Sequence, residues 1–292
     1  MVHTPVRTKR LAGALVVLAL VAAACGSSSS SNKSTGTTGA ALPGATLNGS
    51  GSTFQQAYDQ AAIQTFTQAH SGVTINYAGG GSGKGRTDLA GKIVDFAGTD
   101  ALPKQSDLST YTGGALLYFP TVAAPITVSY NLSGVSNLQL SADTLAKIFQ
   151  AQITTWNDPA IKAENSGASL PSTKITVVHR SDSSGTTQNF TAFLNSAAPT
   201  TWKLGTSTTV AWPAGTQAGN GNGGVAQLVK STSGAIGYVD YSDAKAASLT
   251  FAAIKNKAGN YVKASLAGAT AALSGITPNP DLSYNPINAD GA

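Results

Sequence analysis

Between Tyr77 and Asp88 the chain reads YAGGGSGKGRTD, with five glycines crowded around one serine and one lysine. That composition suits a backbone cradle for an anion. Glycine lets a ligand approach the main chain with no Cβ in the way, and the hydroxyl and ammonium groups supply hydrogens. The nucleotide-binding version of such a loop needs G-x-x-x-x-G-K-[ST]. Counting back from Gly83 and Lys84, the first glycine position falls on Ala78, and Gly85 stands where the magnesium-binding hydroxyl belongs. The stretch is therefore not a phosphate loop of that kind. It remains a strand (VTINYAG) that enters glycines, then Ser82, then a helix (GKGRTDLAGKI). A helix N-terminus carries unpaired N–H groups and partial positive charge, and so attracts anions.

The same arrangement occurs twice more. LNGSGSTFQQAY gives strand, glycines, Ser52-Thr53 and helix, and VVHRSDSSGTTQNF gives strand, Arg180, Ser184-Gly185-Thr186 and helix. One such junction is commonplace in α/β proteins. Three of them, each with Ser or Thr beside Gly, suggest helix N-termini converging on one anion. The third adds a cation whose fixed fork of donors matches an oxyanion. Alternate residues of a strand share a face. If the strand extends that far, Asp182 lies on the side of Arg180 and can hold its guanidinium in place from behind, with His179 on the other side. Read without function, the three junctions are structural turns and Arg180 makes a surface salt bridge.

The elements that must position these residues alternate along the chain. Strand-like runs appear at ATLNG, VTINYAG, VDFAGTD, LLYFPTVAAPITVSYNL, KITVVHR, GAIGYVDY and LTFAAI. Between them FQQAYDQAAIQTFTQAH places Phe54, Tyr58, Ala61, Ala62 and Phe66 on one helical face. SADTLAKIFQ opens with Ser141 as N-cap, and TTQNFTAFLNS and GGVAQLVKS are further amphipathic segments. This alternation predicts an α/β fold with largely parallel sheets.

Residues 1–25 read as a secretion signal. Arg7, Lys9 and Arg10 precede an apolar stretch from Leu11 to Ala24, shorter than the roughly 20 residues of a membrane-spanning helix. It ends at AAAC, which resembles a bacterial lipobox with Cys25 as the lipidated residue, although Ala22 stands where that motif usually has leucine. The other reading is an ordinary signal peptide. Cys25 is the only cysteine, so no internal disulfide is possible. Residues 26–44, rich in Gly, Ser and Thr, read as a flexible tether. Three of the 18 Lys+Arg lie in the leader, which leaves 15 against 13 Asp+Glu and a net charge of +2. That is no footprint for nucleic acid, which needs clustered Lys and Arg.

From about Ala45 onward the chain resembles the phosphate-binding proteins (PstS type) of bacterial phosphate ABC transporters. The resemblance is carried by GSGSTF, INYAGGGSGKG, VDFAGTDA, FPTVAAPITVSYN, TTWNDPAI, VVHRSDSSGTT, WPAG and GAIGYVDY. It implies an α/β, two-lobed periplasmic-binding-protein-like fold of type II that closes on one phosphate. It divides the chain into a first lobe at 45–122 and a second at 123–292. By position it implies phosphate contacts from Thr53, Phe54, Ser82, Asp100, Arg180, Ser184, Gly185 and Thr186, with Asp182 supporting Arg180 from behind. The carboxylate among them has a physical rationale. An ionised Asp100 only accepts hydrogen bonds, so it would favour a protonated oxyanion such as phosphate and repel unprotonated sulfate. Read without function, Asp100 is a helix N-cap before ALPKQSDL.

The chain departs from the family in two places. Lys84 stands where relatives more often have a small residue, and it either adds positive field at the mouth or is simply solvated. The family's C-terminal return to the first lobe appears to be missing, because the sequence stops at DLSYNPINADGA, where that return would begin. The first lobe is then incomplete, and a chain with an exposed sheet edge and apolar surface is expected to melt below a full-length relative.

The function implied is an extracytoplasmic phosphate receptor that delivers its ligand to transmembrane permease subunits. It is expected to be a monomer, lipid-anchored to the outer face of the cell membrane or periplasmic, with no cofactor, no metal and no nucleic-acid partner. The competing readings are a receptor for another oxyanion, a surface protein that senses phosphate or adheres without transport, and a secreted phosphatase-like hydrolase. Against the hydrolase, only His70 and His179 remain beyond the leader, no G-x-S-x-G is present, and no carboxylate cluster suggests a dinuclear metal.

Overall fold

The structure, a computed structural model, describes residues 42–289; the leader with Cys25 and all but the end of the tether lie outside them. The first lobe is built on β1 (Ala45–Gly51), β2 (Val73–Ala78) and β3 (Phe96–Gly98), a wholly parallel sheet in the order β2-β1-β3. Parallel neighbours need crossover connections, supplied here by α1 (Gln56–Ala69) and α2 (Ser82–Ala90).

Eight more strands follow: β4 (Ile126–Tyr130), β5 (Gln139–Leu140), β6 (Thr176–Arg180), β7 (Gln217–Gly219), β8 (Ala235–Asp240), β9 (Thr250–Phe251), β10 (Ala253–Lys255) and β11 (Tyr261–Lys263). Five of them make the second lobe's main sheet, ordered β7-β6-β8-β4-β9. There β6 runs parallel to β7 and β8, while β4 is antiparallel to β8 and β9. Among the described residues five of the eight strand pairings are parallel, as expected, while the antiparallel ones make this main sheet mixed. A small third sheet, β11-β10-β5, lies beyond.

Helices α3 (Ala142–Phe149), α4 (Pro159–Glu164), α5 (Gly185–Ala197), α6 (Gly221–Ser231), α7 (Tyr241–Ala246) and α8 (Leu266–Ser274) complete the described chain. Ser141 caps α3 as expected, accepting from the Thr144 N–H. All six residues of β8 are buried, as befits a central strand covered on both faces. The core lies in this lobe around Tyr130, Phe149, Trp156, Leu194 and Tyr238. Phe190 stacks on Tyr238 with ring centroids 4.5 Å apart.

Three expectations need correction. Only Ile126–Tyr130 of LLYFPTVAAPITVSYNL forms a strand. Pro120 and Pro125 lack the N–H that a ladder needs, and residues 116–125 run without regular structure. LTFAAI is not one strand, because the chain changes sheets at Ala252, between β9 and β10. The apolar face read for α1 is not buried: Tyr58 and Phe66 are exposed, and Asp59 is the helix's buried residue. The helix lies against β2, the edge strand of a three-stranded sheet, with no strand beyond it to bury that face.

The first lobe has little interior of its own. Across residues 45–122 Val73 is the one buried apolar side chain, while Leu117 and Phe119 are 77% and 75% exposed. These two line an open, mostly apolar cleft of about 1150 Å³ together with Phe96, Leu102, Leu273 and Leu282.

Candidate functional site

The second lobe contributes the cation. Strand β6 ends at Arg180, which is 4% exposed. Its Nε donates to Asp182 Oδ1 at 2.7 Å and its Nη2 to Oδ2 at 2.5 Å, a two-point fork. Burial alone would raise the Asp182 carboxyl, but the hydrogen bonds and charge of Arg180 outweigh it and hold the group below its ordinary value. The Gly221 N–H adds a bond to Oδ1 at 3.0 Å. Asp182 lies beyond the strand, so a bend in the chain, rather than strand alternation, brings it beside Arg180. His179 faces Trp212, with ring planes 19° apart, and its Nε2 meets Thr216 Oγ1 at 3.1 Å. Burial lowers its pKa.

The remaining donor of Arg180, Nη1, reaches Thr186 Oγ1 at 3.3 Å. Thr186 stands in the first turn of α5, behind Ser184, whose hydroxyl caps the helix by accepting from the Thr187 N–H at 3.1 Å. The Ser184 N–H is committed to the carbonyl of Thr208 at 2.9 Å. Gly185 opens the helix against the first lobe. A Cβ there would lie 2.8 Å from Asp100 Cβ, so the approach requires glycine.

The first lobe contributes the acid. Asp100 follows β3 and caps no helix, since the next helical turn begins at Gln105 behind Lys104. Its Oδ1 accepts from Ser52 Oγ, its Oδ2 lies 3.5 Å from Thr186 Oγ1, and its N–H donates to Ser82 Oγ at 3.2 Å. Burial pushes its carboxyl up to about 6, partly offset by the Ser52 bond and the charge of Arg180; the Asp240 carboxylate adds to the rise. Ser52 also accepts from the Phe54 N–H at 3.0 Å, and Tyr77 OH steadies the same turn through Ser52 O at 2.8 Å.

The structure thus brings Ser82, Asp100, Arg180, Gly185 and Thr186 together where the lobes meet. Thr53 joins them from the end of β1 by way of a fourth junction. The Asn222 backbone N–H and its Nδ2 both donate to Thr53 Oγ1, each at 3.3 Å. Phe54 and Ser184 stand at their junctions, but their N–H groups are used within the protein. Lys84 faces neither the site nor open water alone. It pairs with Asp88, which also accepts from Ser50 Oγ at 2.6 Å.

Several contacts hold the two lobes against each other. The Gly83 N–H donates to the Ser183 carbonyl at 2.8 Å, and Asn189 Nδ2 donates to the Asp100 carbonyl at 2.8 Å. Gly81 has φ of +93°, and a Cβ on it would fall 2.5 Å from the Ser183 carbonyl oxygen. The glycines of YAGGGSGKGRTD therefore make room for the opposite lobe as well as for any ligand.

Two residues were not assigned a role from sequence. Ser52 sits beside Thr53 in GSGST, and its bond to Asp100 spans 48 residues. Asn222 lies in QAGNGNGGVAQLV, a strand–glycine–helix junction of the same kind as the other three, between β7 and α6. That pattern was the available signal. Among the described residues, no group of three His, Cys, Asp or Glu side chains stands close enough to hold a metal ion, and no helix is long and apolar enough to cross a membrane.

Residues 28–291 match the PBP superfamily domain. Phosphate-binding protein PstS 3 of Mycobacterium tuberculosis is 38% identical over 282 residues, covering 90% of this chain and 75% of the relative. Phosphate-binding protein PstS 2 of the same organism is 40% identical over 249 residues, covering 82% and 67%. Among solved structures, a high-affinity periplasmic phosphate-binding protein bound with phosphate superposes with a TM-score of 0.65 at 28% identity, over 85% of this chain and 75% of that one. A phosphate-binding protein from Stenotrophomonas maltophilia shares the fold, with a TM-score of 0.63 at 23% identity over 84% and 72%.

Proposed function

The chain belongs to the PBP superfamily, and within it to the PstS-type phosphate-binding proteins; from that premise we propose that it is an extracytoplasmic receptor that captures inorganic phosphate between its lobes and hands it to the permease of an ABC transporter. One observation carries the reading at the level of chemistry. Arg180, held in a fork by Asp182, and the acceptor Asp100 lie on opposite lobes and both reach the hydroxyl of Thr186.

Each group has a task in that reading. Arg180 supplies the positive charge and directed donors. Thr53, Ser82 and Thr186 add hydroxyls, and Gly185 brings the main chain at the start of α5 to the same place. Phe54 and Ser184, whose N–H groups are bonded within the protein, would reach phosphate only by turning those groups to it on closure. Asp100 accepts the hydrogen that phosphate still carries near neutral pH and that sulfate lacks. Hinge closure would complete the cage and shed water from it. The protein performs no chemistry on its ligand: capture, enclosure and release are the whole cycle. The leader that ends at Cys25 fits a lipid anchor on the outer membrane face, with residues 26–44 as tether to a monomeric receptor.

The test is to strip the protein of ligand and titrate it with phosphate and with sulfate at neutral pH by calorimetry. Phosphate binding at micromolar or lower concentration, with sulfate silent, is the expected result. Equal binding of both would remove the role given to Asp100. Hydrolysis of a phosphate ester that is lost in Ser184→Ala would replace the receptor by an enzyme.

A further inference from the structure

Asn222 stands in the first turn of α6 with its side chain fully buried, at 0% exposure. Its amide nitrogen carries two hydrogens, and two hydroxyl oxygens stand 3.3 Å from it: Thr53 Oγ1 on the first lobe and Thr186 Oγ1 on the second. Its own N–H is a second donor to Thr53. Its Oδ1 is buried without a hydrogen-bond partner, so satisfying its own polar atoms does not explain why an asparagine sits here.

A hydroxyl has one hydrogen to give and two lone pairs with which to accept. At Thr53 both lone pairs face Asn222 donors. At Thr186 one faces Asn222 Nδ2 and the other Arg180 Nη1. Each hydroxyl hydrogen must then point elsewhere, and that of Thr186 already turns toward Asp100 Oδ2 in the cleft. We propose that Asn222 is a positioning residue for anion capture: by donating to Thr53 and Thr186 at once, it turns both hydroxyls into donors toward the bound oxyanion. Because the two threonines lie on different lobes, the residue makes this polarity depend on closure. The inference rests on the phosphate-receptor reading above.

The test is a mutant cycle on the full chain, titrated with inorganic phosphate by calorimetry, with the melting temperature of each unliganded variant as a check on folding. Asn222→Ala is expected to weaken phosphate binding about 10- to 100-fold in the wild-type background, the worth of a hydrogen bond to a charged group. The same loss is expected with Thr53→Ser, which keeps a hydroxyl. With Thr53→Val the further loss should shrink by a factor of about 5 or more, since contacting residues that act through each other are not additive. Equal losses in all three backgrounds would reduce Asn222 to packing and overturn the inference. If Asn222→Ala does not fold, the isosteric Asn222→Asp decides. Its carboxylate accepts hydroxyl hydrogens but also repels the anion, so it is read in the same cycle: a loss that shrinks by about fivefold or more with Thr53→Val supports the inference, and an equal loss in both backgrounds overturns it. A wild-type chain that binds no phosphate removes the receptor reading and this inference with it; one that binds, with additive losses, removes the inference alone.

Discussion

The Gly83 N–H of the first lobe donates to the Ser183 carbonyl of the second at 2.8 Å. A Cβ on Gly83 would overlap the Ser183 side chain, so this contact exists only while position 83 lacks a side chain. Gly83 also lies inside α2, where alanine is the better helix former by about 1 kcal/mol. Gly83→Ala is therefore expected to act in opposite directions on two measurements. The unliganded melting temperature should hold or rise, and phosphate affinity measured by calorimetry should fall by roughly tenfold or more because the lobes can no longer meet. A parallel fall in both would mean that the variant damages the lobe rather than its closure.

Asp100→Asn tests selectivity. The amide keeps the volume but replaces one acceptor with a donor. Sulfate, which has no hydrogen to offer, should gain measurable binding, and the preference for phosphate over sulfate should narrow by about 100-fold or more. Competition titrations at fixed pH read this directly. An unchanged ratio would separate Asp100 from ligand discrimination.

The same variant tests the protonation of Asp100 in the free protein. Burial raises its carboxyl to about 6, above the ordinary value of 3.8. A carboxyl whose pKa is raised on folding penalises the folded state wherever it must be ionised. The penalty is full above pH 6, shrinks as pH falls through the window between 6 and 3.8, and is gone below it. Without ligand, Asp100→Asn should therefore melt above wild type at pH 7, and the gap should close toward pH 4, roughly the ordinary carboxylate value. A gap that widens on acidification would reverse the assignment.

Arg180→Lys tests the fork. A lysine ammonium is a point charge and cannot make a two-point fork with Asp182 while also reaching Thr186. Phosphate affinity should fall roughly 30-fold or more, as for a disrupted buried charge pair. The unliganded melting temperature should fall too, because Asp182 would lose part of its compensation. Calorimetry and thermal melts of the same preparation check both.

The parts of the site that lay within a few residues of one another were legible from sequence. The three strand–glycine–helix junctions name Thr53, Ser82 and Ser184–Thr186, and each is a local pattern whose geometry follows from backbone rules. Asn222 was not legible, although QAGNGNGG repeats that pattern, because its contacts with Thr53 bridge 169 residues and nothing local marks an asparagine as a donor to two hydroxyls. The fold was legible to a similar depth. Runs such as KITVVHR and GAIGYVDY become β6 and β8, whose side chains are largely buried. The turn of LTFAAI from one sheet into another, and the exposed flank of α1, depend on how many strands each sheet holds, which periodicity does not encode.

The fork between Arg180 and Asp182 also bears on how the protein meets its ligand at a distance. The guanidinium charge is matched by a carboxylate in direct contact, with Asp100 a further acid nearby. These side chains by themselves therefore supply no net positive charge to draw in an anion, and recognition falls to directed donors that act at hydrogen-bond distance. Interactions of that range are hardly screened by dissolved ions, whose shielding length is about 10 Å at 0.1 M. Phosphate affinity should thus stay nearly flat as ionic strength rises, so that the receptor works alike in dilute and in saline surroundings.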